Sequence, residues 1–149
     1  MDRVHLPFAW QRRASKRGIA MLLLKTTLCL TMAAALVNFW LGMRCGQIRS
    51  GEKISVGDGG NELLMRRMRA QANFIEQVPI TLLLFGLVEA AGRGTWWIAP
   101  LGAAFIIGRI CHGFGMDGTF KAGRPIGMAT GILAQLVLVV VGLMAVLGR

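Results

Sequence analysis

Hydrophobic positions in this chain come in long blocks, separated by short polar segments. Four blocks can be drawn: Ile19–Met43, Ala70–Ala91, Thr95–Cys111 and Ile126–Leu147. They run 25, 22, 17 and 22 residues, together 86 of 149. A helix needs about 20 apolar residues to cross a bilayer, so the pattern predicts four transmembrane helices. The segment RCGQIRSGEKISVGDGGNE after the first block reads as a polar loop, with Gly57-Asp58-Gly59-Gly60 as its turn. Asn61 is a good N-cap for the second helix, and Glu62 suits its positive end. Gly92-Arg93-Gly94 is so short that the second and third helices must form an antiparallel hairpin. Trp40, Trp96 and Trp97 fit interfacial anchors. Pro100 falls in the first turns of the third helix, where a kink is expected. Gly127 and Gly131 make a GxxxG on the fourth helix, a sign of close helix packing.

Residues 1–18 form a basic leader, and residues 19–149 form the four-helix domain. The first block could pass for the apolar region of a signal peptide, with Ala33–Ala35 near a cleavage site. Such regions span about 7–15 residues; this one runs further, so it reads as a retained helix. Met21 is an alternative start.

Composition agrees with the pattern: 54% of residues are hydrophobic and 16% charged. Average soluble domains carry about 25% charged residues. The net charge of +10 sits mostly in segments flanking the apolar blocks, where lipid headgroups attract it. No aromatic-and-basic interleave suggests a nucleic-acid partner. Cys29, Cys45 and Cys111 form no CxxC pair, and His5 and His112 are the two histidines, so no metal site is expected. The side of the membrane holding both termini carries seven Lys/Arg and the other side nine, too even a split to set orientation.

The stretch LMRRMRAQANFIEQVP carries the candidate chemistry. At about 100° per residue, Arg69, Asn73 and Glu76 fall at about 0°, 40° and −20°, and Arg66 near 60°. A charge at mid-bilayer costs about 2.5–3.5 kcal/mol on insertion scales. This polar stripe must therefore face protein or a wet cavity. Arg109 and His112 near the end of the third helix lie at a similar depth, and a Glu76–Arg109 ion pair is expected. Two readings of the stripe stand side by side: glue between helices, and a site for a ligand or ion. A surplus of arginine with one glutamate suits a molecule bearing carboxylates and an amine.

Arg69-Ala-Gln-Ala-Asn73-Phe-Ile-Glu76 with Pro79, and Gly108-Arg109-Ile-Cys-His112, resemble two motifs of the MAPEG family, membrane-associated proteins in eicosanoid and glutathione metabolism. The likeness covers about residues 20–147 and is greatest to small bacterial members, which share the GDGG turn. It implies an all-α integral membrane four-helix bundle in a bacterial inner (cell) membrane, assembled as a homotrimer. It implies glutathione as co-substrate, bound between neighbouring subunits, with a lipophilic second substrate. The ligand residues it implies are Arg49, Arg69, Gln71, Asn73, Glu76, Arg109 and His112. Relatives that activate the thiol often carry a tyrosine where this chain has Met116, and the sequence has no tyrosine. Arg124 is then the residue left to stabilise a thiolate. The expected function is glutathione binding, with transferase or peroxidase action on lipophilic electrophiles. The alternatives are a non-catalytic protein of the same fold, or a small dimeric transporter in which an unpaired Glu76 titrates.

Overall fold

The computed structural model describes residues 24–148, which hold four helices: α1 (Lys25–Glu52), α2 (Glu62–Ala90), α3 (Ile98–Met116) and α4 (Gly123–Val146). The basic leader and the start of the first block lie outside the described residues. Each helix contains a stretch long and apolar enough to span a membrane. Large apolar side chains cover the outside: Leu36 and Phe39 on α1, Leu83 and Leu87 on α2, Ile107 on α3, Leu136 and Leu143 on α4 are all exposed. A water-soluble bundle would bury such a surface; a bilayer solvates it.

All four helices run past their apolar blocks at one end. The first continues past Met43 through the polar segment as far as Glu52. Its added turns are anchored because Arg44 and Cys45 are buried against α2 and the end of α3. The α1–α2 loop shrinks accordingly. Lys53 ends α1 in the left-handed region (φ 55°), and the Ile54 N–H closes on the Arg49 carbonyl at 2.9 Å. Gly59 (φ +57°) packs over Ile54, where a β-carbon would lie 2.9 Å from Ile54 Cδ1. Asn61 caps α2 as expected, its side chain accepting from the Leu64 N–H at 2.9 Å. The third helix starts at Ile98 rather than Thr95 and runs on to Met116. Pro100 sits in its first turn, where the missing N–H has no intrahelical partner to lose.

The start of α1 has no capping side chain of its own. Glu89, from the far end of α2, takes that role. Its carboxylate accepts from Thr26 N (2.9 Å), Thr27 N (2.8 Å) and Thr27 Oγ1 (2.7 Å). Two orphan donors are satisfied where water is scarce.

Phe85 on α2 and Phe105 on α3 meet at the centre of the core with ring centroids 6.4 Å apart. Gln135, the polar residue of α4, donates to Gln77 Oε1 (3.1 Å) and Thr81 Oγ1 (2.9 Å) on α2. Close contact of α3 with α4 depends on glycines. A β-carbon on Gly108 would collide with Thr130 Oγ1, and one on Gly127 would lie 2.5 Å from the Gly108 carbonyl. In lipid, small residues let backbones approach where no hydrophobic force draws helices together.

At the loop end the bundle is held by charge. Asp117, which ends α3, pairs with Arg44 of α1 and lies 3.4 Å from Arg67 of α2. Arg67 also donates to the Arg44 carbonyl at 2.8 Å. Trp40 is half-buried here, 5.0 Å from Phe114 and 4.4 Å beneath the Arg44 guanidinium. It therefore acts as a packing residue inside the bundle rather than the interfacial anchor expected from its position. Trp96, 85% exposed at the opposite end, fits that anchoring role.

Candidate functional site

The polar face of α2 opens onto a cleft bounded by α3 and α4. Arg69, Ala72, Asn73 and Glu76 line it from α2, His112 and Met116 from α3, and Arg124 and Met128 from α4. The helical spacing that put Arg69, Asn73 and Glu76 on one face accounts for the first wall. The other walls follow from the glycine-mediated contact of α3 with α4. This contact carries Arg124, in the first turn of α4, to the side of α3 that holds His112.

Arg69, Glu76 and Arg124 are exposed at the cleft, while His112 forms its floor at 6% exposure. Among the described residues, none of Arg69, Glu76, Arg109 and Arg124 makes an ion pair. The expected Glu76–Arg109 pair is therefore absent. Arg109 Nη1 donates instead to Asn73 Oδ1 at 3.0 Å. Asn73 and Glu76 differ by about 60° around α2, and Arg109 approaches on the Asn73 side. The stripe is thus divided between two surroundings. Asn73 joins α2 to α3, while Arg69 and Glu76 are left facing open space.

Arg109 does not line this cleft. It lies 4% exposed in an adjoining chamber lined by Asn73, Gln77, Arg109, Met128, Gly131 and Ile132. Arg49 and Gln71 lie elsewhere. Arg49 Nη2 sits 3.4 Å from Met68 Sδ, and Gln71 points toward Gly42 on α1, about 200° around α2 from Arg69. Arg66 pairs with Glu62 one turn back at 2.5 Å and is exposed. The six residues Arg69, Asn73, Glu76, Arg109, His112 and Arg124 are thus gathered around one region of the α2–α3–α4 face, and Arg49 and Gln71 are on the other side of α2.

Met128 and Ala72 were not foreseen as cleft residues. Ala72 follows Arg69 by three residues and shares its face, so spacing alone could have found it. Nothing in the sequence marks Met128, which depends on how α4 docks. Asp117 also escaped notice because its partners lie 50 and 73 residues away. No cluster of histidine, cysteine and carboxylate suited to a metal occurs among the described residues.

The cleft encloses about 190 Å³. Ligand pockets are usually about 300–1,000 Å³. The cleft is thus smaller than a usual ligand pocket.

Four membrane-spanning helices around a partly enclosed, cationic cleft define a polytopic integral membrane protein with a polar site at membrane depth. The chain belongs to the MAPEG family, whose family profile matches residues 27–144. It is similar to the inner membrane protein YecN of Escherichia coli K12, at 29% identity over 97 residues, covering 65% of this chain and 74% of that protein. The YecN sequence of Escherichia coli O6:H1 matches to the same extent. An inner-membrane location agrees with the four spans and with these relatives. No solved structure matches the chain.

Proposed function

We propose that the cleft binds glutathione and that the protein acts as a glutathione-dependent transferase or peroxidase on lipophilic electrophiles. One observation carries the reading: Arg69, Arg124 and Glu76, none of them ion-paired among the described residues, line one cleft. Glutathione presents two carboxylates and one ammonium. Arginine binds carboxylate with paired N–H donors, and a free glutamate receives an ammonium. This reading expected Glu76 to be paired with Arg109; the structure instead leaves Glu76 facing the cleft.

The small volume and open side of the cleft support assembly as a homotrimer with the site between subunits. Arg49 and Gln71 would then belong to the neighbouring wall. They face away from the cleft of their own subunit and could reach that of the next. Arg124 is the residue proposed to hold the thiolate. A cation beside a thiol lowers its pKa and raises the share of nucleophile. Met116 supplies no proton donor, so electrostatic stabilisation by Arg124 is the route available.

Calorimetric titration of glutathione into the detergent-purified protein tests the reading, with Arg69→Ala as control. Saturable binding that Arg69→Ala weakens at least tenfold is expected. No binding to a folded, trimeric wild type would overturn it.

The transporter reading has one observation in its favour: Glu76 is exposed and has no ion pair among the described residues. Chemical crosslinking separates the two readings: a trimer is expected for glutathione chemistry, whereas a clean dimer would favour a transporter.

A further inference from the structure

On the side of the bundle away from the cleft, α1 and α3 run parallel with a groove of about 550 Å³ between them. Leu30 forms its floor by packing onto Gly102, where a β-carbon would collide with the leucine. Small side chains keep its walls low. Cys29 and Ala33 follow Lys25 at four-residue steps on α1, and Ala99 and Ala103 do the same on α3, with Ile107 one step deeper. The neighbouring surface of α1 is apolar, with Leu28, Met32 and Leu36 each more than half exposed.

Length indicates what fills the groove. From Lys25 to Ala33, and from Ala99 to Ile107, each wall rises about 12 Å along its helix. The hydrocarbon core of a bilayer is about 30 Å thick, so one leaflet contributes about 15 Å. The groove therefore runs through most of one leaflet and stops. A helix of a second copy would cross both leaflets, and its diameter of about 10 Å needs a broader face. An acyl chain of the same leaflet has the matching length.

The mouth of the groove is cationic. Lys25 is exposed there and has no carboxylate within ion-pair distance among the described residues. Glu89, at the same end of the bundle, is occupied by the N–H groups of Thr26 and Thr27 and by the Thr27 hydroxyl. Trp96, 85% exposed, and Arg93 mark this end as the headgroup level. Residues 1–18 carry five Lys/Arg and one Asp, so the chain that precedes Lys25 is net cationic too. Lysine reaches headgroups from the edge of a span through its apolar stem, and basic side chains at that level attract anionic lipid.

We infer that the α1–α3 groove binds one anionic phospholipid of the bilayer, with an acyl chain in the groove and the phosphate held by Lys25. The lipid is a resident of the fold, and the site rests on no claim about the cleft or about glutathione.

The test uses full-length protein delipidated in mild detergent, with native mass spectrometry to count bound lipid. Phosphatidylglycerol is compared with phosphatidylcholine of the same acyl chains. One phosphatidylglycerol per subunit is expected, bound at least fivefold more tightly than phosphatidylcholine, about the effect of one basic side chain at a membrane surface. Lys25→Gln is expected to reduce that preference about fivefold. Ala103→Leu, which fills the groove, is expected to weaken both lipids at least tenfold, whereas Ala104→Leu, on the exposed surface next to it, leaves binding unchanged. Bound phosphatidylglycerol is also expected to slow alkylation of Cys29 by N-ethylmaleimide at least tenfold, read by peptide mass spectrometry. Each substitution lies on an exposed residue, and helical circular dichroism checks the fold. Full binding by Ala103→Leu, or an unaltered preference in Lys25→Gln, would overturn the inference. So would a Cys29 that is shielded without lipid and becomes reactive in a chain starting at Met21, which would assign the groove to the leader.

Discussion

Replacing Asp117 by asparagine removes one negative charge and leaves the shape of the side chain intact. Asp117 is 8% exposed, its partner Arg44 9%, and Arg67 19%. Water therefore screens the Arg44 pair very little. Breaking a buried pair from one side costs about 3–5 kcal/mol, because the remaining charge stays buried and uncompensated. Arg44 Nη1 has no hydrogen-bond partner among the described residues, and the remaining charge would be left with the ring faces of Trp40 and Phe114. Asparagine still offers an oxygen to Arg44, which reduces the loss. The Arg67 contacts are long, at 3.4 Å, and Arg67 keeps its bond to the Arg44 carbonyl. Asp117→Asn is thus expected to destabilise the protein by about 3 kcal/mol. The assay is reversible unfolding in mixed micelles of mild detergent and increasing denaturing detergent, followed by helical circular dichroism. Glu62→Gln is the control: its pair with Arg66 is 71% and 46% exposed, and exposed pairs contribute at most about 1 kcal/mol. A loss for Asp117→Asn no larger than for Glu62→Gln would refute the argument that the α1–α2–α3 junction depends on this carboxylate. The combined variant Arg44→Met with Asp117→Leu is expected to recover most of the loss, since it removes both charges together.

Two further outcomes follow from the way the helices meet. Gly108→Ala is expected to cost about 1–3 kcal/mol by forcing α3 from α4, and Thr130→Ala to restore part of that; an unchanged unfolding midpoint for Gly108→Ala would show that the contact is loose. Gln135→Leu is expected to cost about 0.6 kcal/mol and no more than about 1.7, the range for hydrogen bonds between membrane helices; a larger loss in the same assay would mean that Gln77 and Thr81 find no other partner.

The helix count, the hairpin of α2 with α3 and the cap at Asn61 were legible in the chain. Each depends on neighbours within a few turns: apolar runs of membrane length, a short connection, and an oxygen placed to accept from Leu64. The Arg69–Asn73–Glu76 face was legible for the same reason, because one helix sets its geometry. The continuation of α1 to Glu52 was not. Polar residues from Arg44 onward look like loop until Asp117 and Arg67 arrive to hold them. The Glu76–Arg109 pair was a reasonable inference from depth, but depth leaves rotation about the helix axis undetermined. That rotation brings Asn73 to Arg109.

Sequence alone determined that this chain crosses a membrane, because transfer of apolar side chains depends on composition and length. It also determined that a charged stripe on α2 had to find shelter from lipid. Only the tertiary structure decided which side chains provide that shelter. The close approach at Gly108, Gly127 and Gly131 sets the rotation and depth of α4 against α3. That docking places Arg124 and Met128 in the cleft and leaves Arg109 beside it, with no counter-ion among the described residues. Such choices arise from steric fit between distant segments, which no local pattern encodes.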